Sequence, residues 1–298
     1  LQALIGLILT MRPKQWTKNV LFIFPAILFD GKLFEVEALM RVVIACVLLC
    51  FVAGTVYIIN DLVDIERDRQ HPRKKHRPLP AGRLPVQMAM IASVVIPVVS
   101  LGLAWQVDYR LAVVLFAYLL LQILYSFVLK HVVLIDIMTI TAGFVLRIAA
   151  GVVVISVTNF SPWLYACGAL LALFLAIGKR RQELITLGEN AANTRPIFKD
   201  YNLLLLDDLL RIVMGSTFIA YLLYTIEAPT RRFADQNIAL ITVPFVMYGM
   251  FRYLYLIHVR GEGSAPDEVL LRDRPLQITM LLWGLTFIVI LYFVPRPL

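Results

Sequence analysis

Ala38-Leu-Met-Arg-Val-Val-Ile-Ala-Cys-Val-Leu-Leu-Cys-Phe-Val-Ala-Gly-Thr-Val-Tyr-Ile-Ile59 is a run of 22 residues with one charge, Arg41, and it passes without a turn signal into Asn60-Asp-Leu-Val-Asp-Ile-Glu-Arg-Asp68. About 20 apolar residues of helix cross a bilayer core of roughly 30 Å. The run therefore reads as a membrane span that delivers a cluster of acids to the membrane boundary. Working outward, runs of this length recur along all 298 residues, 60% of which are hydrophobic and only 16% charged. With a mean hydropathy of +0.80, this composition excludes a soluble globule. The runs lack the two-residue alternation of an outer-membrane barrel, so the spans are helices.

Nine spans are expected: a short one from about Thr17 to Phe29, then roughly Ala38 to Ile59, Val86 to Trp105, Leu111 to Leu129, Val132 to Ile155, Pro162 to Gly178, Leu209 to Ile226, Ile238 to Ile257 and Leu276 to Val294. Of the 28 Lys and Arg, twenty fall in the N-terminal segment and the connections after spans two, four, six and eight, against six on the other face. Basic residues in short loops mark the cytoplasmic side. The N-terminus is thus expected in the cytoplasm and the C-terminus outside a bacterial-type plasma membrane. No linker or soluble module interrupts the chain, so residues 1–298 read as a single membrane domain. Dense polar clusters after spans two and six, about 120 residues apart, point to two four-helix halves plus one further span, with a polar mouth on the cytoplasmic face. The net charge of +8 does not indicate nucleic acid, because no soluble basic module exists. Cys46, Cys50 and Cys167 lie inside apolar runs without metal-ligand spacing and read as packing residues.

The chemistry concentrates in the stretch that continues span two. If the helix runs on, Asn60, Asp64 and Asp68 recur every four residues and Asp61 lies on the same side. Four oxygen-bearing side chains on one face repel one another unless neutralised, and hard oxygen ligands suit Mg²⁺, which bridges a few carboxylates to substrate phosphates. The alternative is a solvated helix with salt bridges to Arg67 and Arg69. The basic run Arg73, Lys74, Lys75 and Arg77 follows at once and favours a metal-bound polyanion, although basic residues here also serve topology and contacts with membrane lipids. Three further clusters share the face: Arg12-Pro-Lys-Gln-Trp-Thr-Lys-Asn19, with Lys14 and Lys18; Tyr125-Ser-Phe-Val-Leu-Lys130, followed by Asp136; and Gly178-Lys-Arg-Arg-Gln-Glu183. Asp136 and Arg147 are ionisable residues within a span and are site candidates by default. Eleven residues apart, they stand about 16 Å apart along a helix axis, too far to pair directly.

The motif Asn60 to Asp68, the downstream Arg77-Pro-Leu-Pro-Ala-Gly82 and the nine-span layout resemble the UbiA superfamily of intramembrane prenyltransferases over essentially the whole chain. Members with aromatic acceptors carry a second Asp-rich motif after span six. This sequence has Lys179, Arg180, Arg181 and Glu183 there instead. In that departure, and in its first cluster, Tyr125 to Lys130 and Leu271-Arg-Asp-Arg274, it resembles the decaprenyl-phosphate phosphoribosyltransferase branch.

The resemblance implies a donor, phosphoribosyl pyrophosphate, an acceptor, a polyprenyl phosphate lipid, a homotrimer and a place in cell-wall precursor synthesis. It also implies roles. Asn60, Asp61, Asp64 and Asp68 would hold Mg²⁺ on the donor diphosphate, while Lys14, Lys18, Arg77, Lys130, Lys179 and Arg180 offset the repulsion between two anions. Tyr125 and Asp136 would orient Lys130 or hydrogen-bond the ribose, and Arg147 and Glu183 complete the substrate-binding set. Two other readings stand beside this one: a UbiA-type transferase moving a prenyl group to an aromatic acceptor, and a membrane transporter, which the gathering of charge on one face disfavours.

Overall fold

A computed structural model describes residues 2–70, 74–157, 161–188, 196–227, 232–233, 236–261, 269 and 272–293. Arg73, Leu271 and the side chain of Arg67, named above, lie outside the described residues. The helices are α1 (Gln2–Thr10), α2 (Thr17–Ile23), α3 (Pro25–Phe29), α4 (Val36–Val63), α5 (Ile65–Gln70), α6 (Val86–Val107), α7 (Tyr109–Phe127), α8 (Ile135–Ile155), α9 (Pro162–Leu187), α10 (Leu203–Glu227), α11 (Val243–His258) and α12 (Arg274–Ile288). A two-residue antiparallel pairing, Arg232–Phe233 with Gln236–Asn237, is the strand content among the described residues.

Eight helices are long and apolar enough to cross a bilayer, counting Ile238–His258 and Arg274–Phe293 with their flanking turns. The chain is an integral membrane protein. The ninth expected span, Thr17–Phe29, is the exception. Pro25 has no N–H to continue the ladder and starts a new helix, so α2 and α3 are separate pieces. Even end to end, 13 helical residues rise only about 20 Å, short of a core of roughly 30 Å.

Helix starts follow local capping chemistry. The Asp108 side chain accepts from the Arg110 N–H at 2.7 Å to open α7. Ser161 does the same for Leu164 ahead of Pro162 in α9, and Asp273 for Leu276 in α12.

The chain divides into two compact units, residues 1–128 with 146–158 and residues 129–145 with 159–298, so the division falls inside α8 and not in a connection. In the first unit α4 is the central element, packed by α1, α2, α3, α6 and α7. Half of its buried residues are small: Ala38, Ala45, Cys46, Cys50, Ala53, Gly54 and Thr55. That composition suits a membrane, where lipid is as apolar as leucine and association depends on close backbone approach. Gly151 shows the limit of this closeness, because a Cβ there would collide with the Ile23 carbonyl oxygen. In the second unit α9 packs along α10, α10 against α11 and α11 against α12. The core contains Ile137, Ile177, Leu206, Leu210, Leu256 and Leu276. None of the three cysteines is paired, and Asn19 Nδ2 donates to Cys50 Sγ at 3.2 Å.

Candidate active site

The first unit carries the acidic motif. Here α4 ends at Val63, Asp64 takes the C-cap position (φ −93°, ψ 8°), and α5 restarts at Ile65. The Asp68 N–H still reaches the Asp64 carbonyl at 2.8 Å, so the break costs little helical register. It nevertheless divides the four side chains expected on one face. Asp61 and Asp68, seven residues and two turns apart, are 2% and 0% exposed and point to a common partner. Arg77 Nη1 donates to Asp61 Oδ1 at 3.1 Å and to Asp68 Oδ2 at 2.6 Å. Arg12 Nη2 donates to the same Asp61 oxygen at 3.0 Å, its guanidinium lying 4.5 Å from the centre of the Tyr57 ring. Lys74 Nζ is 3.4 Å from Asp68 Oδ1. Carboxylates this deeply buried need compensating charge, and two guanidinia provide it. Arg69 pairs with Glu66 at 2.6 Å, a surface salt bridge of the kind a solvated helix carries.

Asn60, in the last turn of α4, and Asp64, at the break, are half-buried, and neither makes a side-chain hydrogen bond or ion pair among the described residues. No group of three or more His, Cys, Asp or Glu gathers at metal-ligand spacing among the described residues. One oxygen stands out: Asp68 Oδ1 is buried and accepts no hydrogen bond. Lys14 is exposed, in a short 3₁₀ turn (Pro13–Gln15), and Lys18 is half-buried at the start of α2. Tyr125 is half-buried in the last turn of α7.

Arg147, a default site candidate, is held within this unit. Its Nε donates to Asn19 Oδ1 and its Nη2 to the buried Tyr118 hydroxyl, both at 2.8 Å. These contacts tie α8 to α2 and α7, so its place is that of interhelical polar glue.

The second unit carries the residues after span six, and here the structure corrects the expected cationic pocket. Of the three consecutive cations, Lys179 is exposed but Arg180 is only 1% exposed. Arg180 Nε donates to Asp136 Oδ2 at 2.5 Å and Nη1 to Glu183 Oε2 at 2.7 Å. Arg181 donates to Asp207 at 2.6 Å. Neighbours on a helix are turned by about 100°, which sends one side chain inward and the next outward. Asp136 is also committed, since its other oxygen accepts from the Tyr201 hydroxyl at 2.7 Å. Burial, and next the Asp136 carboxylate, push the Tyr201 phenol well above its ordinary range, so it stays a donor. Lys130 sits half-buried in the 3₁₀ turn Leu129–His131. Near the end of the chain, Asp273 caps α12 and accepts both Arg252 Nε (3.3 Å) and Nη2 (2.9 Å), which holds its carboxyl below the usual range.

Two residues carry no local signal of their place here. Arg12 lies in the stretch Arg12 to Asn19, yet nothing near it in the sequence indicates its left-handed backbone (φ 54°) or a partner 49 residues away. Tyr201 had no signal at all.

Residues 19–182 match the model of the UbiA prenyltransferase family. The decaprenyl-phosphate phosphoribosyltransferase of Corynebacterium glutamicum is 34% identical over 294 residues, 97% of this chain and 88% of that one. Its namesake in Mycobacterium tuberculosis is 32% identical over 281 residues, 93% and 91% of the two chains. A UbiA homolog from Archaeoglobus fulgidus, solved with GPP and Mg²⁺, superposes with a TM-score of 0.69 at 18% identity, covering 96% of this chain and 99% of that one.

Proposed function

The chain belongs to the UbiA prenyltransferase family, and from that membership we propose that it is a membrane phosphoribosyltransferase. It moves the 5-phosphoribosyl group of phosphoribosyl pyrophosphate onto a polyprenyl phosphate. An acceptor phosphate oxygen bonds to ribose C1 while the bond from C1 to the diphosphate oxygen breaks, and diphosphate leaves. What supports this reading most is near-full-length similarity to relatives that bear this activity in their names. The exposed Lys179 after span six, where an acidic motif for a prenyl diphosphate would otherwise stand, agrees with it.

The acidic stretch fits a magnesium ion. Mg²⁺ is content with one or two carboxylates plus phosphate oxygens, and Asp68 Oδ1 is a buried hard oxygen lacking a hydrogen bond. Asn60, Asp61, Asp64 and Asp68 would hold the ion, which when bound would withdraw charge from the departing diphosphate.

Everything else falls to the chain's own side chains. The acceptor phosphate is already anionic near neutral pH, so no strong general base is needed. The task is to align two anions that repel each other. The candidates for offsetting that repulsion are the exposed Lys14 and half-buried Lys18 of the first unit and the exposed Lys179 and half-buried Lys130 of the second. Arg12 and Arg77 hold the Asp61 and Asp68 carboxylates in place, and Tyr125 offers a hydroxyl to the ribose. The reaction takes place at the cytoplasmic face, with the N-terminus inside, the C-terminus outside and the polyprenyl tail in lipid. A homotrimer is the assembly proposed. The test is to give the purified protein Mg²⁺ with two substrate pairs in parallel. A lipid product from phosphoribosyl pyrophosphate and polyprenyl phosphate supports the reading; product only from a prenyl diphosphate and an aromatic acid overturns it.

A further inference from the structure

Between Lys130 and the helix that begins at Ile135, the backbone passes through an unfavourable conformation. Leu134 has φ 64°, and the Ile135 N–H donates to the Val133 carbonyl at 2.8 Å, closing a three-residue turn. With positive φ at its centre, such a turn is the rare and strained kind. Leucine has neither the freedom of glycine nor the short polar side chain of asparagine to ease it. Strain of this sort persists only where the surroundings over-determine it, and it collects at functional segments.

Those surroundings are a chain of hydrogen bonds. The Leu134 N–H donates to the Tyr201 hydroxyl oxygen at 2.8 Å, and that hydroxyl donates its own proton to Asp136 Oδ1. Asp136 Oδ2 is gripped by Arg180, itself pinned by Glu183. The Asp136 N–H reaches back to the Val132 carbonyl at 3.0 Å, so the residue that anchors Tyr201 also closes the turn. A continuous path of hydrogen bonds therefore leads from α9, through a tyrosine that is protonated and buried, to the backbone four residues after Lys130.

We propose that Tyr201 is a positioning residue for Lys130: held by Asp136 and Arg180, its hydroxyl fixes the left-handed turn at Leu134 and so sets where the Lys130 ammonium meets a substrate phosphate. This rests on the reading of Lys130 as a phosphate ligand. A lysine side chain is a flexible stem, and what the protein controls is the place of its backbone. Holding that place before substrate arrives removes reorganisation from the binding step.

The test is a double-mutant cycle on the full-length, detergent-solubilised protein: wild type, Tyr201→Phe, Lys130→Ala and both, with kcat and KM measured for donor and acceptor and thermal unfolding as the control for folding. Tyr201→Phe leaves the Leu134 N–H and Asp136 Oδ1 each short of a partner, and should raise KM about fivefold to fiftyfold. The substrate affected should be the one whose KM rises in Lys130→Ala. In the Lys130→Ala background the same change should cost less than about twofold, the mark of one shared role. Losses that multiply overturn the proposal and leave the role of Lys130 standing. A silent Lys130→Ala overturns it in a different way, by removing Lys130 from the site. If Tyr201→Phe does not fold, the pair Leu134→Gly with Tyr201→Phe replaces it, because glycine adopts the turn without strain. In that pair the strain is gone but nothing fixes the turn, so a raised KM that largely disappears when Lys130 is also Ala supports the proposal, and a folded protein with wild-type KM overturns it.

Discussion

Arg77→Ala removes the cation that bridges the two buried carboxylates. In the structure its Nη1 serves both Asp61 Oδ1 and Asp68 Oδ2. Breaking a fully buried pair costs about 3–5 kcal/mol because one charge is left uncompensated. Arg77, however, is 31% exposed, so water enters where its side chain was. Asp61 also keeps Arg12, and Asp68 keeps Lys74 nearby. The net destabilisation should therefore be about 2 kcal/mol, or roughly 3 °C in the unfolding midpoint of a chain this long. Arg77→Lys should recover only part of this, since a single ammonium cannot reproduce the guanidinium fork. Two poorly neutralised carboxylates attract divalent cations, so Mg²⁺ should raise the midpoint of Arg77→Ala more than that of wild type. Differential scanning fluorimetry in detergent, with and without Mg²⁺, measures all three quantities. An unchanged midpoint in Arg77→Ala would refute the idea that this bridge holds the acidic motif in place.

Other substitutions probe the remaining pieces. Arg180→Ala should cost about 3–5 kcal/mol by stranding buried Asp136, whereas Lys179→Ala should leave stability unchanged and raise the donor KM; equal effects on stability would contradict their opposite orientations. Gly151→Ala drives a Cβ against the Ile23 carbonyl and should destabilise by about 2 kcal/mol or more, seen as reduced folded yield on size exclusion. Asp273→Asn should lower the unfolding midpoint at neutral pH, and the gap should close in acid. The carboxyl is depressed in the folded state, so its contribution is present above the ordinary Asp value of 3.8 and is lost only as pH falls through the still lower folded value. For orientation, a cysteine at Gln70 in a background without the native cysteines should react with an impermeant reagent from the cytoplasmic side and one at Glu35 from outside; the reverse pattern would invert the topology.

The run from Ala38 to Ile59 was legible as a span because composition and length alone decide it, and α4 extends it by only a few residues at each end. Pro25 was equally visible in the sequence, yet the length of the apolar run masked the break it makes between α2 and α3. The acidic motif was legible as a cluster of oxygen-bearing side chains, but which of them are buried was not. Asp61 is buried against Arg12 and Arg77, which come 49 residues before it and 16 after it. The same holds for Asp136, whose partners Arg180 and Tyr201 lie 44 and 65 residues on. Spacing could exclude Arg147 as its partner, but no local pattern encodes which distant side chain replaces it. Lys179 and Arg180 look alike as positive charges at a membrane boundary. Only the packing of α9 separates the surface residue from the buried one.

The central claim is that an intact phosphoribosyl group passes to a lipid phosphate, and following two labels tests it most directly. Phosphoribosyl pyrophosphate labelled in the ribose, and separately in the 5-phosphate, is incubated with the purified protein, Mg²⁺ and polyprenyl phosphate, and lipid-extracted counts are compared with diphosphate released. Both labels should enter the lipid in equal amounts, one per diphosphate released, and neither should do so when Asp68 is replaced by Asn. Diphosphate released without labelled lipid, or only one of the two labels reaching the lipid, would contradict it.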